Sequence, residues 1–416
     1  MSKNILFFEN PVTPDFFGCF EERGFLPPQD PLFWLLKEKK DYSDEAFEWE
    51  AVCSAIPHLL VDGNLREELE KLPPFPIDDF IQGERELEWA MRTLSFAGHA
   101  YVWGEKEPCT VIPANIAVPW VEVARRLVCP PVLSYASYAL TNWYRNNPEK
   151  LVQLGNIGVA QEFLGGMDEM WFVLIHVAIE AAAGKVIHAL WRAQIAAYQE
   201  NKEEVADELH KAGLGLEEMC HILGRMPEKC DPYIYYHRVR PYLFGWKDNP
   251  LLSDGIVYEG CFGNQPQKFR GETGAQSSIL PALDAFLGVR HQENELSYYL
   301  SEMLEYMPHI HREFVYFLQL GDPSEEPILR KYARKNEQVQ FEYDHCITFV
   351  ASFRGLHYGF ARDYIANQAA KAVITNPTHV GTGGTPFLEY LHQHYKETVA
   401  SALDDRHLTL FAGGVS

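Results

Sequence analysis

The sequence predicts a mainly α-helical protein, and three observations carry that reading. Apolar residues recur at helical spacing over long windows, notably 83–102, 169–197, 203–226, 296–321 and 336–373. No window of comparable length shows the two-residue alternation of a half-buried strand. Between the helical windows, Arg240 to Ser278 follows neither period, yet it carries Tyr242, Leu243, Phe244, Trp246, Leu252, Ile256, Tyr258 and Phe262. That is too much apolar surface to leave in water, so the stretch reads as an ordered irregular segment packed onto a helical body.

Taken in order, residues 1–80 are rich in proline and aromatics, with short helical pieces at Phe33–Lys37 and Ala46–Leu60 punctuated by PPQDP and PPFP. A firmer helix over 83–102 places Leu87, Ala90, Met91, Leu94, Ala97 and Tyr101 on one stripe. Two more follow at 119–127 and 131–146, and the polar, glycine-containing stretch 147–168 is the best domain boundary. Beyond it come helices at 169–197, 203–226, 275–287, 296–321 and 336–373. The expected organisation is a small mixed, partly helical domain over 1–160 and a large all-helical domain over 161–416.

At 416 residues, with 47% hydrophobic and 13% aromatic residues, the chain can bury two or three domain-sized cores. Its formal charge of -22 argues against nucleic acid or an anionic membrane as partner, since both select clustered Lys and Arg. The one basic run, Arg330, Lys331, Arg334 and Lys335, has the spacing of a solvated helix face. The opening residues lack the apolar core of a signal peptide. The most apolar window, Trp171–Trp191, contains Glu180, Lys185 and His188 and reads as a buried helix rather than a membrane span. Eight scattered cysteines form no C-x-x-C pair and read as free thiols. The expectation is a soluble, cytoplasmic protein. Walker, Rossmann and G-x-S-x-G patterns do not occur, which disfavours phosphate-cofactor and α/β-hydrolase chemistry.

Two histidines stand out because they interrupt apolar faces. His357 shares a face with Cys346, Phe349, Val350, Phe353, Phe360 and Tyr364, and His176 shares one with Phe172, Ile179 and Ala183. Each is either a core histidine satisfied by a hydrogen bond or a ligand, since an imidazole on a rigid helix among aromatics suits a metal or haem iron. Arg354, one turn before His357, could pair with a haem propionate or reach solvent. His309 with His311, and His392 with His394, have i, i+2 spacing that turns the rings apart, and both pairs read as surface residues. Asp404–Asp405 and Glu203–Glu204 sit in charged faces and carry no site signal. In VGTGGTPFLEYL, the glycines allow close backbone approach and the threonines offer hydroxyls, so this is either a flexible linker or a lid over a ligand.

The ordered string NIAVP (115–119), NWY (142–144), RPYLFGWKDNPLLSDGIVYEG (240–260), GAQSS with LDAFLG (274–288), YMPHIHREF (306–314), SFRGLHYGF (352–360) and GTGGT (381–385) resembles the indoleamine 2,3-dioxygenase family. The resemblance runs from about residue 85 to 390. It implies a small N-terminal domain over a large helical one with haem b between them, and a monomer that opens the indole 2,3 double bond of L-tryptophan or a related indole with O₂, giving N-formylkynurenine. By motif matching it implies His357 as proximal iron ligand, and Arg354, Thr273 and Gly274 on the haem. Arg240 falls where the family meets the substrate carboxylate. Tyr135, Tyr138, Ala139, Phe172, Tyr235, Tyr236 and Thr382 fall at substrate-lining positions. His176 stands where vertebrate members commonly have Ser and looks like the distal histidine of the tryptophan 2,3-dioxygenases, which gives it a role on the indole N–H or the oxygen. The other reading left open is a haem-binding sensor, or a low-activity homologue acting on another indole.

Overall fold

The structure, a computed structural model, describes residues 23–35, 38, 42–293, 295–320, 325–371 and 387–408. The glycine-rich 381–385 segment, with Thr382, and the ends expected for helices at Lys37, Gly321 and Val373 lie outside the described residues.

Three short helices open the fold: α1 (Asp44–Ser54), α2 (Ile56–Asp62) and α3 (Leu65–Lys71). Ser43 starts α1 by accepting from the Ala46 N–H, while its own N–H and hydroxyl donate to Asp79. Gly63 stops α2 in the left-handed conformation at φ 73°. Next come α4 (Glu84–Trp103) and α5 (Ala114–Arg126). Gly98 of α4 is a docking point, because a Cβ there would lie 2.2 Å from the ring of Trp120, which is wholly buried. α5 begins five residues before the expected 119 and carries Pro119 inside it. The carbonyl that Pro119 cannot bond is that of Asn115, and the Phe75 N–H reaches it at 3.5 Å.

The helix expected over 131–146 is not formed as such. A single π-helical turn covers Ala136–Leu140, then β2 (Trp143–Arg145) pairs antiparallel with β3 (Ile157–Val159). Asn142 explains the exit: its amide donates to the Tyr138 and Gln161 carbonyls and accepts from the Gln161 N–H, offering the backbone a better alternative to another helical turn. The other strand pair is β1 (Val111–Ile112) with β4 (Val257–Tyr258), parallel and two residues long.

The body is built on α6 (Met167–Tyr198), α7 (Lys202–Gly224) and the single turn α8 (Pro232–Ile234), with α7 packed on both α6 and the later α13 (Glu337–Ala361). α6 is long and apolar enough to cross a membrane, but most of its apolar window is buried inside the protein. Further elements are α9 (Ile279–Leu287), α10 (Glu295–Leu304), α11 (His309–Leu318), α12 (Ile328–Ala333), α14 (Asn367–Ala369) and α15 (Phe387–Val399). The single helix expected over 296–321 is thus two, because Pro308 lacks an N–H and holds Met307 out of helical geometry. Likewise the long C-terminal helix loosens into a π-helical turn at Arg362–Ala366. The seven described cysteines are free thiols.

The 240–278 stretch is ordered and irregular as expected, made of short 3₁₀ turns at 240–243, 250–252, 262–264 and 274–276 around β4. Leu243, Phe244, Trp246, Leu252, Ile256 and Tyr258 are buried in it, whereas Leu251 and Phe262 face solvent. His99 of α4 anchors it: its Nδ1 lies 2.7 Å from the Tyr242 carbonyl and its Nε2 accepts from the Leu133 N–H at 3.0 Å. Burial lowers the pKa of His99 to about 3, so it is a neutral strut between two loops. Gly98→Ala should cost about 1–3 kcal/mol by forcing Trp120 off its rotamer, read as a lowered urea midpoint with unchanged slope.

Candidate functional site

His357 sits near the end of α13 and His176 in the first half of α6, close enough that His176 disfavours a charge on His357. His357 is solvent-accessible, yet burial depresses its proton affinity to about 4, with His176 and Arg354 adding to the effect. Neither of its nitrogens takes a hydrogen bond from the described residues, whereas His176 places Nδ1 2.8 Å from the Phe172 carbonyl, one turn back on α6. A carbonyl only accepts, so Nδ1 of His176 holds the proton, and burial lowers the ring's pKa, which favours the neutral form with a lone pair on Nε2.

Aromatic rings close around this histidine. Phe172 lies 4.4 Å from the His176 ring and stacks on Tyr235 at 4.6 Å. Tyr135 stands edge-on to His176 at 6.0 Å, Tyr138 is 6.4 Å from Phe172, and Ala139 is buried beside Tyr138 on the same turn. Two π-helical turns, Ala136–Leu140 and Tyr235–Val239, present these residues, and the second leads directly into Arg240. Such turns widen the helix by one residue and occur often at functional sites. Arg240 is 1% exposed, with its guanidinium 4.6 Å from the Phe244 ring and 5.5 Å from that of Tyr236. Burial lowers its pKa, against the pull of Tyr235 and Tyr236. The structure therefore brings together His176, His357, Tyr135, Tyr138, Ala139, Phe172, Tyr235, Tyr236 and Arg240.

Thr273 and Gly274 lie on the irregular segment, where the Thr273 hydroxyl caps the 3₁₀ turn by accepting from the Ala275 N–H. Gly274 is exposed with open space where a Cβ would stand. Arg354 keeps within electrostatic reach of His357, but its guanidinium forms a two-point pair with Asp284 at 3.0 and 2.7 Å and donates to the Thr398 hydroxyl. Beyond it, His291 has Nδ1 2.6 Å from Glu397 and Nε2 3.1 Å from Asp284, and stacks on His394 at 3.8 Å. His291, His394 and Glu397 have ligand atoms within 4.8 Å of one another, the one such metal-type grouping among the described residues. His394 is therefore not a surface residue as its spacing suggested, and burial lowers its pKa to about 4. The same correction applies to His311, which α11 turns inward against Phe25 at 5.0 Å while His309 stays exposed. Arg330 of the basic run also turns partly inward, donating to the Tyr343 hydroxyl.

Buried acids are the residues that sequence reasoning missed. Glu169 accepts from the Phe163 and Leu164 N–H groups and from Tyr138, and burial pushes it up to about 7. Glu180 accepts from the hydroxyls of Tyr135 at 2.9 Å and Ser277 at 2.8 Å, and is also pushed up to about 7 by burial. Glu272 is pushed up by burial to about 8. Glu180 left a signal, because it follows His176 by four residues in an apolar run and so shares its face. Glu272 left none.

The sequence profile of indoleamine 2,3-dioxygenase matches residues 13–401. Human indoleamine 2,3-dioxygenase 2 is 33% identical over 410 residues, covering 95% of this chain and 97% of the relative. Indoleamine 2,3-dioxygenase of Saccharomyces cerevisiae is 31% identical over 91% of each chain. A 6-hydroxytryptophan 2,3-dioxygenase of Fusarium equiseti is 30% identical, covering 88% of this chain and 92% of its own. A mainly helical fold with these relatives defines an oxidoreductase of the dioxygenase class. The chain belongs to the indoleamine 2,3-dioxygenase family.

A carboxyl whose folded pKa is raised gives stability that is complete below its unfolded value and lost as pH rises through the folded one. For Glu180 that window runs from 4.5 to about 7. Glu180→Gln, which keeps an acceptor for Tyr135 and Ser277, should lessen the fall in stability between pH 5 and 8 by on the order of 3 kcal/mol. Urea midpoints at the two pH values check this.

Proposed function

We propose that the protein is a haem b dioxygenase that cleaves the indole 2,3 double bond of L-tryptophan, or a related indole, to the N-formylkynurenine product. The observation that carries this reading is His357: an unprotonated, accessible imidazole opposite a second neutral histidine in an aromatic box. These features fit the group. An imidazole without a hydrogen-bond partner can give its lone pair to iron, neutral at any pH well above 4. Gly274 leaves room on the irregular segment, with Thr273 beside it as a hydroxyl donor, and Arg354 is a cation within electrostatic reach of His357 that could meet a propionate. The haem would lie between a small domain over 1–160 and a large one over 161–416. Bound haem iron supplies the activation of O₂ and its insertion into the C2–C3 bond.

The chain's own residues bind, orient and exclude water. Arg240 offers a planar fork to the substrate carboxylate, from a buried position where the pairing is strong. Phe172, Tyr235, Tyr138, Tyr135 and Ala139 form the walls that hold the indole ring. His176, proton on Nδ1, presents Nε2 as an acceptor, which suits the indole N–H better than an oxygen that itself needs a donor. Thr382 is proposed as the lid threonine. A cytoplasmic monomer remains part of this reading.

A second substrate has specific support. The Fusarium relative is named for 6-hydroxytryptophan, and the box here carries hydroxyls on Tyr138, Tyr235 and Tyr236 that could meet a substituted ring.

Purified with haem, reduced and given L-tryptophan and O₂, the protein should form N-formylkynurenine, detected by mass. His357→Ala should purify with little pigment, and His176→Ala should keep its pigment while losing at least tenfold in turnover. Full pigment in the first variant, or full turnover in the second, would remove the corresponding role.

A further inference from the structure

A second group of histidines lies where the segment after α9 meets α15, outside the aromatic box. His394 and Glu397 are three residues apart on α15, so they share a helix face, and His291 comes up to them from the other segment. One ligand atom from each lies within 4.8 Å of the other two, and all three residues are half-buried. Two of the three are held by further bonds. His291 faces Asp284 with Nε2 at 3.1 Å, and Asp284 is itself fixed by its two-point pair with Arg354. Glu397 keeps Oε2 2.6 Å from Nδ1 of His291, while its Oε1 accepts from the Gln393 amide at 2.8 Å and the Gln292 N–H at 3.3 Å. A carboxylate behind the histidine, and amides behind the other carboxylate, are the kind of outer partners that orient metal ligands.

His394 differs. Its ring nitrogens have no hydrogen-bond partner among the described residues, and the ring instead stacks on His291 at 3.8 Å. Burial, with His291 and Arg354 adding to it, lowers its pKa to about 4, so near neutral pH the ring keeps a lone pair that protons do not contest. An entering cation would take the place of the proton that joins His291 to Glu397, and the carboxylates of Asp284 and Glu397 then outnumber the one guanidinium of Arg354. Glu397 also lines an open cavity of about 330 Å³ beside α12, which gives an ion a way in and leaves room for water. The arginines on that cavity are already bonded, Arg290 to the Glu325 carbonyl and Arg330 to Tyr343 and Glu326.

We propose that His291, His394 and Glu397 form a binding site for a divalent ion of the zinc type, with water from the adjoining cavity completing the shell. The site is separate from the iron position assigned to His357. Two imidazoles and a carboxylate suit zinc, whereas calcium and magnesium take oxygen ligands. Tetrahedral bonds of about 2.1 Å set ligand atoms roughly 3.4 Å apart, so the 2.6 Å contact of His291 with Glu397 opens slightly and His394 closes in. Stacked rings do not aim their lone pairs at one point, so His394 turns about its Cβ–Cγ bond to bring a nitrogen edge-on to the ion. It is the ligand with no hydrogen bond to lose. Coordination would tie the segment after α9 to α15, at the contact that Arg354 bridges from α13.

The haem-loaded full chain, freed of adventitious metal with a chelator, is titrated with zinc chloride by calorimetry near neutral pH, beside His394→Ala and Glu397→Gln. Wild type should bind one more equivalent of zinc than either variant, or bind that equivalent at least tenfold more tightly. Zinc should raise the thermal midpoint of wild type and leave those of the variants in place, and magnesium chloride at the same concentration should move none of them. In a wild-type crystal soaked in zinc chloride, anomalous scattering at the zinc edge should place the ion against His291, His394 and Glu397. Equal zinc binding by wild type and both variants overturns the proposal, and so does an ion found only at other residues. An ion seen at these residues in the crystal, with no excess over the variants in solution, is an adventitious ion only and overturns it too. Should neither variant fold, the wild-type crystal decides alone: zinc on the three residues supports the site, and its absence there overturns it.

Discussion

Desolvation of ionisable groups along α6 is the constraint on which the rest of this structure depends. Within one helix the chain buries Glu169 and Glu180 and half-buries His176, and Glu272 joins them from the irregular segment. Removing such groups from water is costly unless each becomes neutral or gains partners. The structure does both. Burial shifts the three acids upward and the histidine downward, so all four tend to neutrality near pH 7. The surrounding tyrosines, Ser277 and the 163–164 backbone then donate to Glu169 and Glu180. The interior is polar in atoms but low in net charge.

That constraint also explains the irregular backbone around the site. Regular helices satisfy their own amides and leave little for a ligand or a buried acid to bond. The π-helical turns at 136–140 and 235–239, and the 3₁₀ turns of 240–243 and 274–276, break that self-sufficiency where side chains must converge. α4 supplies the rigidity these loops lack. His99 bonds Tyr242 and Leu133 at once, and the Trp103 indole donates to the Phe244 carbonyl at 2.8 Å. One straight helix thus sets the separation of the Tyr135 loop from the Arg240 loop.

How much of this was legible in the sequence follows from the range of the forces involved. The long helices were readable because their apolar stripes are local: the windows at 83–102, 169–197 and 203–226 end within a few residues of α4, α6 and α7. Pro308 split a helix that periodicity alone ran together, and Asn142 ended another through bonds to Gln161, a partner nineteen residues away. His357 and His176 were legible as polar interruptions of apolar faces. His311 and His394 were misread because i, i+2 spacing tells only that two rings diverge, not which one turns inward. Glu272 was invisible, since its burial comes from the crossing of Gly271 over Gly245, a contact between segments that no period links.

The Arg354 pair shows the same dependence on tertiary context. As a sequence feature it is one turn from His357 on α13; in the fold it is a bridge from α13 to Asp284 on α9 and to Thr398 on α15. Burial alone would raise Asp284, yet Arg354 and His291 outweigh it and hold the carboxyl down at about 2. His291 passes the connection on to Glu397, so three helices are joined by one chain of hydrogen-bonded charges. Buried pairs of this kind add little net stability over apolar packing, because desolvation offsets the attraction. Their strength is geometric, since a two-point guanidinium–carboxylate contact tolerates little sliding or rotation. The end of α13 that carries His357 is accordingly fixed in register against α9 and α15.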